Sequence, residues 1–295
     1  MTVSVEDFYA PKAFLLGVGA QKAGTTWLSD YLRSRPDTNM GMTKEYRIFD
    51  SLHVPISKRF LDDRIAEALQ HLTADPPLSL GGSNIFKYLD FLQNPDAYFV
   101  YFFRLIRSDP HSFLTGDITP NYCGLPVPIF QMIREKLLQY GFLPKVVFLM
   151  RDPVERCLSA VRMNLKIDGQ VADAKTEERL LLSVHTSERY EIATRYDKTI
   201  TALESVFSKN EIYYAFYESL FTEPTIRSLC DFLGRPYLEA QFDKMVNVSR
   251  TSNQINNTAK QTVFNHYKDV YRFITRHFPH VNLPALWTFY GDLTD

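Results

Sequence analysis

The chain has 295 residues, of which 45% are hydrophobic and 23% charged, and its formal net charge is −1. These values are typical of a globular protein, and they argue against a disordered chain or a nucleic-acid-binding surface. The three cysteines are widely spaced, which argues against a zinc site or a disulfide framework, and the sequence contains no apolar run of membrane-spanning length. We therefore expect one domain over residues 1–295, located in the cytoplasm, without stable membrane insertion.

The first predicted element is a strand at residues 14–18 that leads into a glycine-containing loop. The loop reads Gly19-Ala-Gln-Lys-Ala-Gly-Thr-Thr26, and the pattern that follows is helical. Such a junction directs backbone N–H groups and the positive end of a helix dipole to one point, which suits a phosphate or sulfate. In nucleotide triphosphatases the loop lysine directly follows the second glycine. Here Thr25 holds that position and Lys22 precedes Gly24 by two residues, which favours a different anion.

Further along the chain, buried strands are predicted at 146–150 and 212–216, each followed by a helical pattern. This alternation predicts an α/β fold around a parallel sheet. A second strand–helix junction begins at Arg151, because a proline two residues later suits the first helical position. Residues 116–122 are predicted as a strand end followed by a loop, and the polar run 249–260 as a surface loop.

Four segments resemble those of sulfotransferases that use 3′-phosphoadenylyl sulfate (PAPS), in particular the heparan-sulfate-type and related bacterial branch. Residues 21–28 resemble the 5′-phosphosulfate loop, and residues 151–160, Arg-Asp-Pro-Val-Glu-Arg-Cys-Leu-Ser-Ala, resemble the 3′-phosphate motif. Residues 44–50 resemble a Lys-Glu-x-x-Phe-Phe-Asp segment, with Ile48 in place of the first phenylalanine. Residues 117–122 resemble a segment with Lys-Thr-Pro-x-Tyr, in which Ile118 replaces the lysine.

The resemblance implies a three-layer, P-loop-like sulfotransferase fold with a central parallel sheet, and it implies roles for particular residues. Glu45 would be the general base, and Lys22 would stabilise the transferred group. The residues implied in PAPS binding are Lys22, Ala23, Gly24, Thr25, Thr26, Arg151, Ser159 and Arg250. Lys44, Arg47 and Thr119 are candidates for contacts with the acceptor, and no metal ion is expected.

The chemistry agrees with these implied roles. Sulfuryl transfer, like phosphoryl transfer, depends on positioning and on charge stabilisation of an in-line transition state. An arginine fork such as that of Arg151 can bind two oxygens of a phosphate monoester at once. The expected reaction sulfates a hydroxyl or amine of a carbohydrate, glycolipid or small molecule and releases adenosine 3′,5′-bisphosphate (PAP).

Two other functions remain open on the sequence. An ATP-dependent kinase or nucleotide hydrolase of the P-loop type would use a similar loop, but the displaced Lys22 argues against it. A binding protein without catalysis would retain the nucleotide site, and the presence of both Lys22 and Glu45 argues against that function.

Overall fold

The computed structural model describes residues 11–73, 84–243 and 254–289. A four-stranded sheet with the strand order β2-β1-β3-β4 lies at its centre. The strands are β1 (Lys12–Gly19), β2 (Leu114–Ile118), β3 (Phe142–Met150) and β4 (Ile212–Phe216). Strands β1 and β2 pair in parallel, with Leu15 opposite Gly116. The predicted α/β class with a central parallel sheet is confirmed.

Helices connect and cover these strands. The α-helices of the described part of the chain are α1 (Thr25–Ser34), α2 (Ile48–His53), α3 (Lys58–Thr73), α4 (Ile85–Gln93), α5 (Pro95–Arg107), α6 (Val127–Gln139), α7 (Pro153–Ile167), α8 (Ala174–Val184), α9 (Glu188–Thr194), α10 (Tyr196–Glu204), α11 (Tyr217–Leu220), α12 (Glu223–Leu233), α13 (Asn257–His277) and α14 (Leu283–Leu286). Three short 3-10 helices span Pro55–Ser57, Pro120–Gly124 and Lys209–Glu211.

The predicted strands occur where the apolar runs placed them. All eight residues of β1 are buried, which explains why its sequence is apolar without alternation. The expected strand end at 116–122 is also present, because β2 stops at Ile118 and a 3-10 helix follows.

One loop prediction is wrong in its last part. Within the run 249–260, helix α13 begins at Asn257, and residues 249–253 lie outside the described residues. The Asn256 side chain accepts a hydrogen bond from the Thr258 backbone N–H at 2.9 Å. This N-cap starts a helix inside a sequence whose polar composition suggested a loop.

The chain divides into two compact units. Among the described residues, the first comprises 11–18, 29–73, 84–147 and 202–212, and the second comprises 19–28, 148–201, 213–243 and 254–289. The division falls inside β3, between residues 147 and 148. The prediction of a single domain over 1–295 stays a prediction.

The core of the first unit is rich in aromatic side chains. Phe102 is fully buried, and its ring lies 5.0 Å from the ring of Phe14 and 4.9 Å from those of Tyr46 and Tyr98. These edge-to-face contacts tie β1, α5 and the segment before α2 together. The segment that carries Glu45 is therefore anchored, through Tyr46, in a packed aromatic core.

The core of the second unit surrounds Trp287, which is completely buried. Its ring lies 5.3 Å from Tyr271 of α13, 5.7 Å from Phe216 of β4 and 6.4 Å from Tyr196 of α10. These contacts join three segments that are distant in sequence, and Arg151 lies in the same unit.

Candidate functional site

The loop after β1 has a backbone that requires glycine at Gly24. Its φ is +91°, and a Cβ atom there would lie 2.5 Å from Leu220 Cδ2. Lys22 also has a positive φ, of 73°, and the Ala23 N–H closes a turn onto the Ala20 carbonyl at 3.1 Å. Helix α1 starts immediately afterwards at Thr25. The first turn of α1 contains no acidic residue, so its N–H groups and its dipole favour an anion.

Arg151, at the end of β3, reaches this loop. Its Nη1 donates a hydrogen bond to the Lys22 carbonyl at 3.2 Å, and its guanidinium lies 4.4 Å from the centre of the Tyr217 ring. Stacking on an aromatic face suits the planar guanidinium and restricts its orientation. The structure therefore brings together the two junctions that the sequence predicted separately.

Ser159 lies on α7, the helix that begins two residues after Arg151. Ser159 and Glu155 are four residues apart, so they share one face of the helix. The Glu155 carboxylate lies 3.9 Å from Arg151 Nη2, and Ser159 is only 8% exposed. Ser159 and Arg151, the two residues predicted to hold the 3′-phosphate, thus both lie next to Glu155 in the chain segment that starts at the end of β3.

Glu45 lies in the first unit, between two cations. Lys44 Nζ is 2.7 Å from Glu45 Oε1, and Arg47 Nη2 forms an ion pair with Oε2. The Glu45 side chain is 24% exposed. Three of the residues predicted for the acceptor side, Glu45, Lys44 and Arg47, are therefore in contact with one another.

Arg47 is held in place from several sides. Its backbone adopts the left-handed region, with φ 56° and ψ 29°, at the N-cap of α2. Its guanidinium lies 4.0 Å from the centre of the Phe60 ring and 3.7 Å from the Asp50 carboxylate. Asp50 is completely buried, and burial raises its pKa to about 6. Arg47 thus bridges a buried acid and the half-buried Glu45.

Comparison with known families identifies the family to which the chain belongs. A family model described as a sulfotransferase domain matches residues 133–284, just over half of the chain. The chain belongs to the sulfotransferase domain family. This assignment makes it a sulfotransferase, and it confirms the family expected from the motifs.

The chain is also similar to several solved structures. The sulfotransferase is similar to one from Alicyclobacillus acidocaldarius, with a TM-score of 0.58 and 19% identity over 94% of this chain and 99% of that one. The chain is similar to the sulfotransferase domain of the Synechococcus PCC 7002 olefin synthase with a TM-score of 0.46 and 15% identity. The match covers 88% of this chain and 94% of that one. A mouse sulfotransferase complexed with PAP has a TM-score of 0.38 and 13% identity, over 92% of this chain and 72% of that one. Comparison with curated protein sequences gives no match. At these identities, the first structure supports the fold alone.

Buried polar contacts fix the turn of the sulfotransferase that carries Arg151. The Tyr196 hydroxyl donates to the Arg151 carbonyl at 2.8 Å. Asp152 caps α7 by accepting from the Val154 N–H at 2.9 Å, and it also accepts from the Tyr271 hydroxyl at 2.7 Å. Burial raises the pKa of Asp152. The cap and the helix start are thereby tied to α13, which contributes Tyr271.

Glu218, in α11, completes this arrangement. The Asp152 N–H donates to Glu218 Oε1 at 2.9 Å, and Trp287 Nε1 donates to Oε2 at 3.2 Å. Burial raises the pKa of Glu218 to about 7. Glu218 is half-buried, and each oxygen of its carboxyl group has a donor.

In the first unit, a second buried acid organises the segment around Thr119. Asp117 is fully buried and accepts hydrogen bonds from Tyr98 at 3.1 Å, Tyr122 at 2.7 Å and Thr119 at 2.7 Å. Burial raises the pKa of Asp117 to about 6. Thr119 is itself 0% exposed, so direct contact with an acceptor would need this segment to open.

Some predicted features fall outside what the structure describes. Arg250, predicted to take part in PAPS binding, lies outside the described residues. In the described ranges, no helix is long and apolar enough to cross a membrane. The same part of the chain contains no group of three or more His, Cys, Asp or Glu residues suited to a metal ion.

Sequence reasoning missed the residues that support the site. Tyr217, Glu218 and Asp117 were given no role, although each adjoins a recognised element. A signal for Asp117 was available, because a carboxylate inside a short apolar strand must find buried donors. Tyr217 had no comparable signal, since its contact with Arg151 joins positions 66 residues apart in sequence.

Proposed function

We propose that the protein transfers the sulfuryl group of PAPS to a hydroxyl or amine of a carbohydrate, glycolipid or small-molecule acceptor and releases PAP. The observation that carries this proposal is the hydrogen bond from Arg151 Nη1 to the Lys22 carbonyl, at 3.2 Å. It joins a guanidinium to a loop that ends at a helix N-terminus. A guanidinium and a helix N-terminus, both of which bind anions, thus lie side by side. A sulfuryl donor that carries a 5′-phosphosulfate and a 3′-phosphate requires two such groups.

The loop fits the 5′ portion of such a donor. The N–H groups of Gly24, Thr25 and Thr26 hold the 5′-phosphate, together with the two threonine hydroxyls. Ala23 is completely buried and its N–H is bound to the Ala20 carbonyl, so it contributes by shaping the turn of the loop. The Lys22 ammonium stabilises negative charge on the bridging oxygen and on the group in transfer.

Arg151 and Ser159 hold the 3′-phosphate in this proposal. The Tyr217 ring and the Lys22 carbonyl restrict the orientation of the Arg151 guanidinium in the unbound protein. This restriction lowers the entropy cost of binding the phosphate. The half-buried position of Arg151, whose side chain is 16% exposed, strengthens its charge interactions relative to water.

Glu45 accepts the acceptor's proton. PAPS supplies the sulfuryl group, whose bond to the phosphate oxygen breaks while the bond to the acceptor forms. A carboxylate has about four lone-pair sites, so the contacts with Lys44 and Arg47 leave Glu45 room to accept a proton from the acceptor. Lys44 and Arg47 orient Glu45 and offer donors to the acceptor.

We propose no metal ion in this chemistry, because Lys22 and the helix N-terminus supply the positive charge. We also propose a cytoplasmic location. That proposal is supported by the three cysteines, which are buried and form no disulfide, as a reducing compartment favours: Cys123, Cys157 and Cys230.

Isotopic sulfate transfer from labelled PAPS into a panel of hydroxyl and amine acceptors tests the proposed reaction. We expect labelled product and an equal amount of PAP with at least one acceptor class. Label that appears only as free sulfate with every acceptor, at the same rate with and without Lys22→Ala, would contradict a transferase that uses Lys22.

A further inference from the structure

A cavity of about 380 Å³ lies in the second unit, between α7 and the start of α13. Its walls include Glu155, Leu158 and Arg162 of α7, and Asn257 and Lys260 of α13. The volume is in the range of small-ligand sites, which are roughly 300–1,000 Å³. The cavity is not explained by the roles proposed so far.

Helix geometry relates this cavity to Ser159. Positions 155, 159 and 162 are spaced by four and three residues, so their side chains share one face of α7. Glu155 and Arg162 both line the cavity. The cavity therefore adjoins the face predicted to hold the 3′-phosphate.

Two charged residues of the wall, Arg162 and Lys260, differ in their partners. Arg162 is committed to Glu177, with Nε and Nη2 each 2.9 Å from the same carboxylate oxygen. Lys260 Nζ lies 3.8 Å from Glu155 Oε1 and 5.4 Å from the centre of the Phe289 ring. Charged hydrogen bonds are about 2.7–2.9 Å long. The contact between Lys260 and Glu155 is thus a loose ion pair.

Glu155 is shared by two cations. Arg151 Nη2 lies 3.9 Å from Glu155 Oε2, and Lys260 lies beside the other oxygen. Neither distance is that of a hydrogen bond, so both cations retain donors for a second anion. Lys260 also lies in the first turn of α13, whose dipole adds positive potential there.

We infer that Lys260 is a second cation for the 3′-phosphate, acting together with Arg151 and Ser159. A phosphate monoester carries about −1.5 to −2 charge at neutral pH, so a single arginine leaves it partly uncompensated. The Lys260 ammonium supplies the second positive charge by turning from Glu155 towards the phosphate. This inference rests on the proposed function, and it makes Lys260 a determinant of selectivity for nucleotides that carry a 3′-phosphate.

Calorimetric titration with PAP and with AMP, which lacks the 3′-phosphate, tests this role. Lys260→Met removes the charge but keeps an unbranched stem against Phe289. We expect it to weaken PAP binding about tenfold, equivalent to about 1.4 kcal/mol, with AMP affinity changed by less than about twofold. Lys260→Arg should restore most of the preference for PAP. The matched control is Lys268→Met, two turns further along α13, and it should bind both nucleotides like the wild type.

The outcomes separate the two proposals. If the wild type prefers PAP over AMP and Lys260→Met retains the full preference, the role of Lys260 is wrong and the proposed function stands. If the wild type itself shows no preference for PAP, the 3′-phosphate site is wrong and the proposed function fails with it. A melting temperature within about 2 °C of the wild type confirms that each variant is folded.

Discussion

The substitution Gly24→Ala tests the structure of the anion-binding loop. At φ +91°, a residue with a side chain is strained by about 1–3 kcal/mol. The new Cβ would also lie 2.5 Å from Leu220 Cδ2 and 3.3 Å from Tyr217 Cδ2, closer than ordinary contact. Overpacking of this kind costs about 1–3 kcal/mol, so the free energy of unfolding should fall by roughly 2–6 kcal/mol in total.

Gly234→Ala is the matched control for the conformational part of this cost. Gly234 has φ +66°, and no heavy atom lies within 4 Å of a Cβ placed there. Its substitution should cost only the backbone strain, about 1–2 kcal/mol. The larger cost expected for Gly24→Ala therefore reflects mainly the close contacts with Leu220 and Tyr217.

Urea unfolding followed by tryptophan fluorescence, with a PAP titration of each variant, provides the measurement. We expect Gly24→Ala to lose more stability than Gly234→Ala and to bind PAP more weakly, because backbone strain at φ +91° and the collision with Leu220 both act on the loop that holds the 5′-phosphate. The reasoning is refuted if Gly24→Ala is as stable as Gly234→Ala and binds PAP like the wild type.

Three further predictions concern individual side chains. Glu45→Gln should lower kcat about 10²–10⁴-fold while PAP affinity stays within about twofold; full activity would remove Glu45 as the base. Lys22→Ala should abolish measurable sulfuryl transfer in steady-state assays with labelled PAPS. Lys87→Ala, a control at an exposed position on α4, should retain transfer. Burial raises the pKa of Glu218 from 4.5 to about 7, so its contribution to stability is complete below pH 4.5 and is lost as pH rises through 7. Thermal melting of the wild type and of Glu218→Gln from pH 5 to 8 tests this pKa. The wild type should lose stability as pH rises relative to the variant, and a difference in melting temperature that stays constant with pH would contradict the raised pKa.

The sequence was sufficient for features that depend on local pattern. The buried strands were predictable because a parallel strand covered on both faces must be apolar throughout, as β1 is. The loop at Gly24 and the strand end at Arg151 were predictable because strand–helix junctions expose backbone donors at fixed positions.

Features that depend on long-range contacts were not predictable. The ion pair of Lys260 with Glu155 joins residues 105 positions apart, and nothing in the local sequence of either residue indicates the other. The start of α13 was also missed, since the capping interaction of Asn256 outweighs a polar composition that otherwise favours a loop. The left-handed backbone of Arg47 is a further example, because arginine has no preference for that region.

Thermal unfolding with PAP, compared with ATP plus Mg²⁺, tests the central claim most directly. A ligand at 100 times its Kd should add about 2.7 kcal/mol to the free energy of unfolding. The proposed sulfotransferase predicts such stabilisation by PAP and a much smaller effect of ATP plus Mg²⁺. Stabilisation by ATP plus Mg²⁺ without any by PAP would contradict the account and favour a kinase or nucleotide hydrolase.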